Sequence, residues 1–467
     1  MAPPRVNAGL SPPIRHDATG MTEDFAAKKQ RLQHALGAHS GKIRLRKRTI
    51  SNLFRYAPRR SGESTALSLS DFNEILAIDV DTATLDVEGL ATYESVVDAT
   101  LARGLLPLVT PELKHITVGG ATVGIGIEST CFRHGFVHDG LIEAEVLLPD
   151  GRIVLCNNTD SHIDLFRALP NSYGTLGYIL RAKIKLMKAY PYVHLKNTLY
   201  RDTDGYLDAM RRATEDSSID FIEGLLFADK RYYLMTSRQT AEVPYTHDIV
   251  RKHIFYKLVQ QAPDVYLKTK DYIFRYDPEW FWNIPETIPY QWFRRWAPRP
   301  LRNSGFYVRY CQWKDARQRL LRRQPKQDKE PLIQDWEVPW EHGKALLEYA
   351  LANVDLSGKP WVAVPIKTRS SPTLYPIVAD KLYFNLGCYC QVEKMPGRED
   401  YHYTKILDRK CFDLGGIKML YSSTFMSRDE FDRQYNGPAY TALKDKYDPY
   451  QRAYTLYEKA VRSEPAL

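Results

Sequence analysis

Four glycines fall within eight residues in the stretch Thr117-Val-Gly-Gly-Ala-Thr-Val-Gly-Ile-Gly-Ile-Glu-Ser129. Glycine costs conformational entropy in a folded segment, so such a cluster marks positive φ angles or main-chain N–H groups brought close to an anion such as phosphate. The spacing departs from the usual nucleotide templates. Gly124-Ile-Gly126 is followed by Ser129 where a G-x-G-x-x-G turn has its third glycine, and no Gly-Lys-Ser/Thr follows to make a P-loop. A second glycine loop, Asn171-Ser-Tyr-Gly-Thr-Leu-Gly177, lies downstream.

Other residue types narrow the chemistry. Cys388-Tyr-Cys390 puts two thiols on one face of an extended segment, but no second Cys or His pair completes a metal site, and none is expected. Six cysteines in 467 residues are too few to staple the chain, which points to a reduced, cytoplasmic setting. Asn157-Asn-Thr159 matches a glycosylation signal by accident, since no secretion signal precedes it. The net charge of +9 calls for an anionic partner. One basic run, Lys42-Ile-Arg-Leu-Arg-Lys-Arg48, alternates with apolar residues as a strand entering a charged site does. Another combines charge with rings, Tyr290-Gln-Trp-Phe-Arg-Arg-Trp296, and Trp292, Arg294, Arg295 and Trp296 have the make-up of a peripheral membrane contact. The competing reading is a surface helix with its Trp side chains packed inward. A nucleic-acid partner is not expected.

The elements around these residues alternate strand and helix. Ile75 to Asp81 and Thr84 to Gly89 read as strands, and Tyr93 to Arg103 as a helix stopped by Gly104. Leu105 to Val109 is a short strand. Leu141 to Leu148 and Arg152 to Cys156 form a hairpin around Asp150-Gly151. Tyr178 to Leu186 is a further β run, and Asp164-Leu-Phe-Arg-Ala168 a short helix. After about Lys188 the texture becomes aromatic and basic, and Asp271 to Trp282 carries six rings. With 44% hydrophobic and 26% charged residues the chain is an ordinary folded one, and no window reaches the length of a spanning helix.

In their order, Thr117-Val-Gly-Gly120, Gly124 to Ser129, His134-Gly135, Leu148-Pro-Asp-Gly151, Asp164-Leu-Phe166 and Tyr173 to Gly177 resemble the vanillyl-alcohol-oxidase (PCMH-type) flavoproteins. Within that family the chain is most similar to the branch containing Δ24-sterol reductases and the bacterial flavin reductases of 10-methyl branched fatty acid formation. Thr49 to Arg55, Phe221 to Leu226, Asp271 to Trp282, Gln334 to Pro339 and Lys418 to Tyr421 carry this likeness. Asn171 to Tyr178 and Lys444 to Pro449 favour the bacterial subgroup. The resemblance implies an α+β fold: an unstructured N-terminus over residues 1–22, a two-part FAD-binding domain over 23–190, an α+β cap over 191–410, and a segment over 411–467 returning to the FAD domain.

It also implies roles. FAD pyrophosphate would meet the N–H groups of Val118, Gly119, Gly120 and Ala121 after Thr117, and those of Gly124, Gly126 and Ile127, with Ser51, Asn52 and Arg55 as side-chain donors. Ser129, Gly135 and His138 would lie near the flavin, and Gly177 and Ile179 offer backbone contacts. No His or Cys occurs from Arg46 to Ser64, so the FAD is expected to be non-covalent. Tyr272, Arg275, Gln334, Asp335 and Tyr421 are the candidates for the acid and the polar groups at the reaction centre. Tyr421 is followed by Ser-Ser-Thr424 and not by the lysine of related oxidases, which weighs against alcohol oxidation. The implied reaction is reduction of a lipid C=C, favoured as a methylene-bearing acyl chain of a phospholipid, with NAD(P)H as donor. Protonation of the less substituted carbon leaves positive charge on a tertiary carbon, which accepts hydride from reduced flavin N5. A lipid methyltransferase is an implied partner, and the inner face of the membrane an implied location. The alternatives are a sterol or isoprenoid side chain, an alcohol or sugar oxidase, and a non-catalytic binding protein.

Overall fold

The computed structural model describes residues 18–37, 41–46, 65–159, 162–283 and 329–461, together with 292–293, 295–298, 301–302, 304–306, 309–310, 313 and 317. Ser51, Asn52, Arg55 and Arg294 lie outside the described residues.

Strands β1 (Ile43–Arg46) and β2 (Thr65–Ser68) form a small parallel pair. Arg44 and Arg46 of β1 are exposed, and Lys42 before them is half-buried, 3.9 Å from Glu458. Six strands follow: β3 (Ile75–Asp79), β4 (Thr84–Glu88), β5 (Leu105–Pro107), β6 (Leu141–Leu147), β7 (Ile153–Asn157) and β8 (Tyr178–Lys188). They make one antiparallel sheet in the order β3-β4-β8-β6-β7, with β5 on β8. The β6–β7 turn is the one the Asp-Gly pair predicts, with Gly151 at φ +97° and the Leu148 N–H donating to the Arg152 carbonyl at 2.8 Å.

The helix Ala18–Gly37 begins inside the stretch expected to lack structure. The reason lies in its pattern: Phe25, Lys28, Leu32 and Leu36 recur on one face and are buried in a core shared with Leu67, Phe72 and Leu180. Lys28 Nζ reaches Glu88 at 2.9 Å beneath that helix.

The rest of the chain builds an eight-stranded antiparallel sheet from β9 (Tyr192–Tyr200), β10 (Phe221–Phe227), β11 (Arg231–Thr240), β12 (Asp264–Lys268), β13 (Lys329–Pro339), β14 (Trp361–Ile366), β15 (Tyr383–Glu393) and β16 (Ile417–Lys418). Their order is β12-β9-β11-β10-β14-β15-β13-β16. Every residue of β10 and of β14 is buried, so both faces of the sheet centre are covered. The fold is mixed α+β.

The C-terminal segment ties the parts together. β16 pairs with β13, whereas Arg452 accepts through its carbonyl from the Ile43 N–H at 2.8 Å. Between them Lys444, buried and pushed below the ordinary lysine range by burial, donates to the Thr175 carbonyl of the second glycine loop at 2.9 Å and to Asp448 at 2.6 Å. Replacing one member of a buried ion pair strands the other charge. Lys444→Met is therefore expected to cost about 3 kcal/mol or more, read as a lower midpoint in urea denaturation, and Lys444→Arg clearly less.

Candidate active site

The glycine stretch is a helix, not an open loop. Val118–Gly124 forms two helical turns capped by Thr117, whose hydroxyl accepts from the Gly120 N–H. The N–H groups of Val118 and Gly119 go to the Ala91 and Gly89 carbonyls at 3.0 and 2.8 Å, and that of Ala121 goes to the Thr117 carbonyl. The four amides from Val118 to Ala121 that were expected to meet pyrophosphate are thus spent inside the protein. A Cβ on Gly119 would sit 2.9 Å from the Gly89 carbonyl oxygen and 3.3 Å from Ile179 Cβ, so this glycine serves close helix-to-strand packing. Gly177 is equally constrained, 2.6 Å from Val146 Cγ1 on the same construction.

The amides without an internal acceptor lie one turn later. Ile125 takes φ +59°, a strained conformation for a β-branched residue, and turns the chain out of the helix. Among the described residues the N–H groups of Gly126 and Ile127 meet no acceptor, and both residues are half-buried. The chain then crosses beneath the large sheet: the Ser129 carbonyl accepts from the Ile222 N–H at 2.8 Å and the Cys131 carbonyl from the Lys367 N–H at 3.1 Å. Gly135, at φ +74°, reverses it toward His138. That ring stacks on Phe136 at 5.5 Å and is buried, and both of its nitrogens lack a partner among the described residues. Burial holds the imidazole below its usual pKa, so it is neutral and keeps one donor and one acceptor for a bound molecule.

One face of the large sheet meets this crossing. The register Leu225↔Val362, Val362↔Gly387 and Gly387↔Asp335 puts Glu223, Asp335, Glu337, Asn385 and Tyr389 on the same side. Gly387 is glycine because a Cβ there would lie 2.4 Å from the Asp335 carboxylate. Asp335 accepts from Tyr421 at 2.7 Å, Tyr389 at 2.5 Å and Asn385 at 3.0 Å. Gln334 lies on the opposite face and donates to the Met419 carbonyl at 2.8 Å, which removes it from the group it was expected to join. Glu337 accepts from Tyr375 at 2.5 Å.

Arg275 is not the surface charge its neighbours Asp277 and Glu279 suggest. Its guanidinium is almost wholly buried and donates to Glu223 at 2.6 and 2.9 Å and to Glu112 at 2.6 Å, with Glu128 at 3.8 Å. Tyr276 donates to the other oxygen of Glu223 at 2.5 Å. Tyr272 lies under the guanidinium at 4.8 Å, its hydroxyl 3.4 Å from that of Ser129. One cation cannot neutralise three carboxylates. Burial, and then the neighbouring charges Glu223 and Asp335 working against Arg275, push Glu112 up to about 8. Burial and Glu112 hold Glu128 well above the carboxylate range. Burial likewise raises Asp335 and Glu337.

The two acid groups are joined by rings. Phe281, itself at φ +55°, stacks on Tyr389 at 4.0 Å and on Tyr276 at 5.1 Å. Sequence reasoning missed Glu112, Glu128, Glu223, Glu337, Tyr276 and Tyr389. Glu223 had a signal, an ionisable residue inside the apolar run Phe221 to Phe227; Glu112 had none.

Comparison with known proteins bears on this geometry. Residues 41–157 match the FAD binding domain family. A Delta(24)-sterol reductase homolog of Caenorhabditis elegans is 24% identical, over 91% of this chain and 84% of its own length. Human Delta(24)-sterol reductase is 27% identical, over 83% of this chain and 77% of its own length. A cytokinin dehydrogenase of Arabidopsis thaliana is 33% identical over 33% of this chain and 28% of its own length. The chain is an FAD-dependent oxidoreductase with a PCMH-type FAD-binding domain, similar over most of its length to the Δ24-sterol reductases. The residues present fit that cofactor, since Gly126, Ile127 and His138 bring unspent donors to one stretch of chain.

Two outcomes follow. His138→Phe keeps the ring stack but removes both nitrogens, and FAD should bind roughly tenfold more weakly, the worth of about one hydrogen bond, by fluorescence titration of the apoprotein. In the unfolded chain Glu112 ionises near 4.5, whereas the folded protein holds its proton up to about 8. Its contribution to stability is therefore full below pH 4.5 and declines between those values, by up to about 1.4 kcal/mol per pH unit. Glu112→Gln should flatten that part of the stability-against-pH curve.

Proposed function

We propose that this protein is an NAD(P)H-dependent reductase of an isolated lipid C=C bond, using non-covalent FAD. The observation that supports it most is the group of buried carboxyls where the glycine-bearing segment meets the large sheet: burial raises Glu112, to about 8, and also Glu128, Asp335 and Glu337. Adding hydrogen across an alkene consumes a proton, whereas oxidising an alcohol needs a base to remove one. Bound FAD supplies the hydride from its reduced ring. The chain's own part would be to hold the cofactor's pyrophosphate by Gly126 and Ile127 and its ring by Ser129 and His138, and to supply the proton. The buried rings of Tyr272, Tyr276 and Phe281 exclude water and favour positive charge developing on a substrate carbon.

The names of the relatives favour a trisubstituted side-chain alkene of a sterol or isoprenoid. A second reading, a methylene-bearing acyl chain of a phospholipid, is supported by the surface. Trp292 and Trp296 are 67% and 68% exposed, and Arg295, Phe306, Tyr310 and Trp313 are exposed beside them in sequence. The inward-packed alternative for these Trp residues does not fit. Such a patch suits the headgroup region of an anionic membrane face, each cation contributing about 1 kcal/mol, and no described helix is long and apolar enough to cross a membrane. On that reading a lipid methyltransferase supplies the methylene group.

The purified protein should be yellow and lose its colour to the supernatant on acid precipitation. NADPH should bleach it without oxygen, and either a Δ24-unsaturated sterol in detergent or vesicles of 10-methylene phospholipid should restore the colour. If NADPH leaves it oxidised while an alcohol or sugar bleaches it, the reductase reading fails. Changing Trp292 and Trp296 to Ser should at least halve sedimentation with anionic vesicles and leave turnover of a detergent-dispersed substrate unchanged.

A further inference from the structure

We propose that Glu112 is the residue that delivers the proton to the substrate double bond. The inference rests on the reductase reading above. Three carboxyl groups share Arg275, and they differ in how far they are committed. Glu223 receives two hydrogen bonds from Arg275 and one from Tyr276, and its side chain is 2% exposed. It is the most fully bonded carboxyl of the three. Glu128 is 6% exposed, lies 3.8 Å from the guanidinium, and belongs to the segment that crosses under the sheet. Glu112 takes a single 2.6 Å bond from Arg275 and keeps 15% of its side chain exposed, the most of the three. It is the most accessible of the three to an incoming molecule.

Its surroundings make it an acid. Facing it are Arg275, Glu223 and Glu128 on its own side and Asp335 with Tyr389 on the other, and the tyrosine hydroxyls are already donated to Asp335. Tyr421 cannot give up its proton cheaply, because its phenolate would lie against the Asp335 carboxyl. Glu112 can, because Arg275 stands 2.6 Å away to pair with the carboxylate that forms. The step balances: the Glu112 O–H bond breaks, a C–H bond forms at the less substituted alkene carbon, and the tertiary carbon takes the hydride that bound reduced FAD supplies. NAD(P)H provides those two electrons, and water returns the proton to Glu112.

Single-turnover measurements on the NADPH-reduced protein, mixed with the Δ24-unsaturated sterol or the 10-methylene phospholipid vesicles, test this. Glu112→Gln should bind FAD and be reduced by NADPH at the wild-type rate but return to the oxidised form at least 100-fold more slowly with the lipid, while Glu112→Asp recovers part of the loss. In the wild type that second rate should fall as pH rises through about 8. The infrared C=O band of a protonated carboxyl should disappear over the same range and be missing from Glu112→Gln. A wild-type lipid rate flat from pH 6 to 10, or a Glu112→Gln rate equal to wild type, overturns the assignment and leaves the reductase reading standing. A wild type that neither lipid reoxidises overturns both.

Discussion

Arg275 sits where three pieces of chain converge, and the site depends on its having partners in all of them. Glu112 and Glu128 come from the segment that carries the glycines, Glu223 from the centre of the large sheet, and Arg275 itself from the stretch after the helix Thr269–Ile273. A guanidinium with almost no exposure is tolerable only when its hydrogen bonds are met, and here the bonds that meet them also tie the glycine-bearing segment to the large sheet. The pairing is unequal, with more carboxyl groups than cations. At a spacing of about 4 Å two ionised carboxylates repel by about 4 kcal/mol even at an effective dielectric of 20. The assembly is held together at neutral pH because part of it keeps its protons.

The aromatic stack turns two local groups into one surface. Tyr276 is bonded to Glu223, Tyr389 to Asp335, and Phe281 lies between the two rings. Placing Phe281 there requires consecutive left-handed residues at Trp280 and Phe281, a backbone cost of about 1–3 kcal/mol each. Packing of six buried rings from Tyr272 to Trp282 offsets that cost. The strain sits beside the acid groups and is repeated at Ile125, where the backbone leaves the glycine helix. Both irregularities lie where the glycine-bearing segment and the aromatic stretch approach the large sheet.

Much of the fold was legible because it rests on short-range rules. Asp150-Gly151 marked a hairpin, Gly104 stopped a helix, and alternation marked the strands. The first helix was missed because its polar surface hides a sparse apolar face, and Lys28, counted as charge, is buried on Glu88. The glycine cluster gave the right cofactor for a partly wrong reason: Gly119 is there for packing against Gly89 and Ile179, and the unspent amides follow at Gly126 and Ile127. The acid groups were the least legible. Glu112 and Arg275 are 163 residues apart, and nothing local to Glu112 distinguishes it from a surface glutamate. What separates Asp335 from Gln334 is strand register, which neighbouring sequence does not reveal.

The direction of the chemistry follows from how the charges are arranged. A site built to oxidise an alcohol gains from a base that is unprotonated at working pH, and a nearby cation helps by lowering the base's pKa. Here one cation, Arg275, is shared among three carboxyl groups, and Lys418, on the far side of the sheet, is held by Asp408 at 2.6 Å. Burial outweighs the hydrogen bonds and the Arg275 charge that pull the other way, and it raises Asp335, Glu337 and Glu128. A neutral carboxyl surrounded by rings is a poor base and a usable acid, and it repels neither a hydrocarbon nor a carbon acquiring positive charge. The same burial that excludes water from a lipid substrate thus sets the protonation state that its reduction requires.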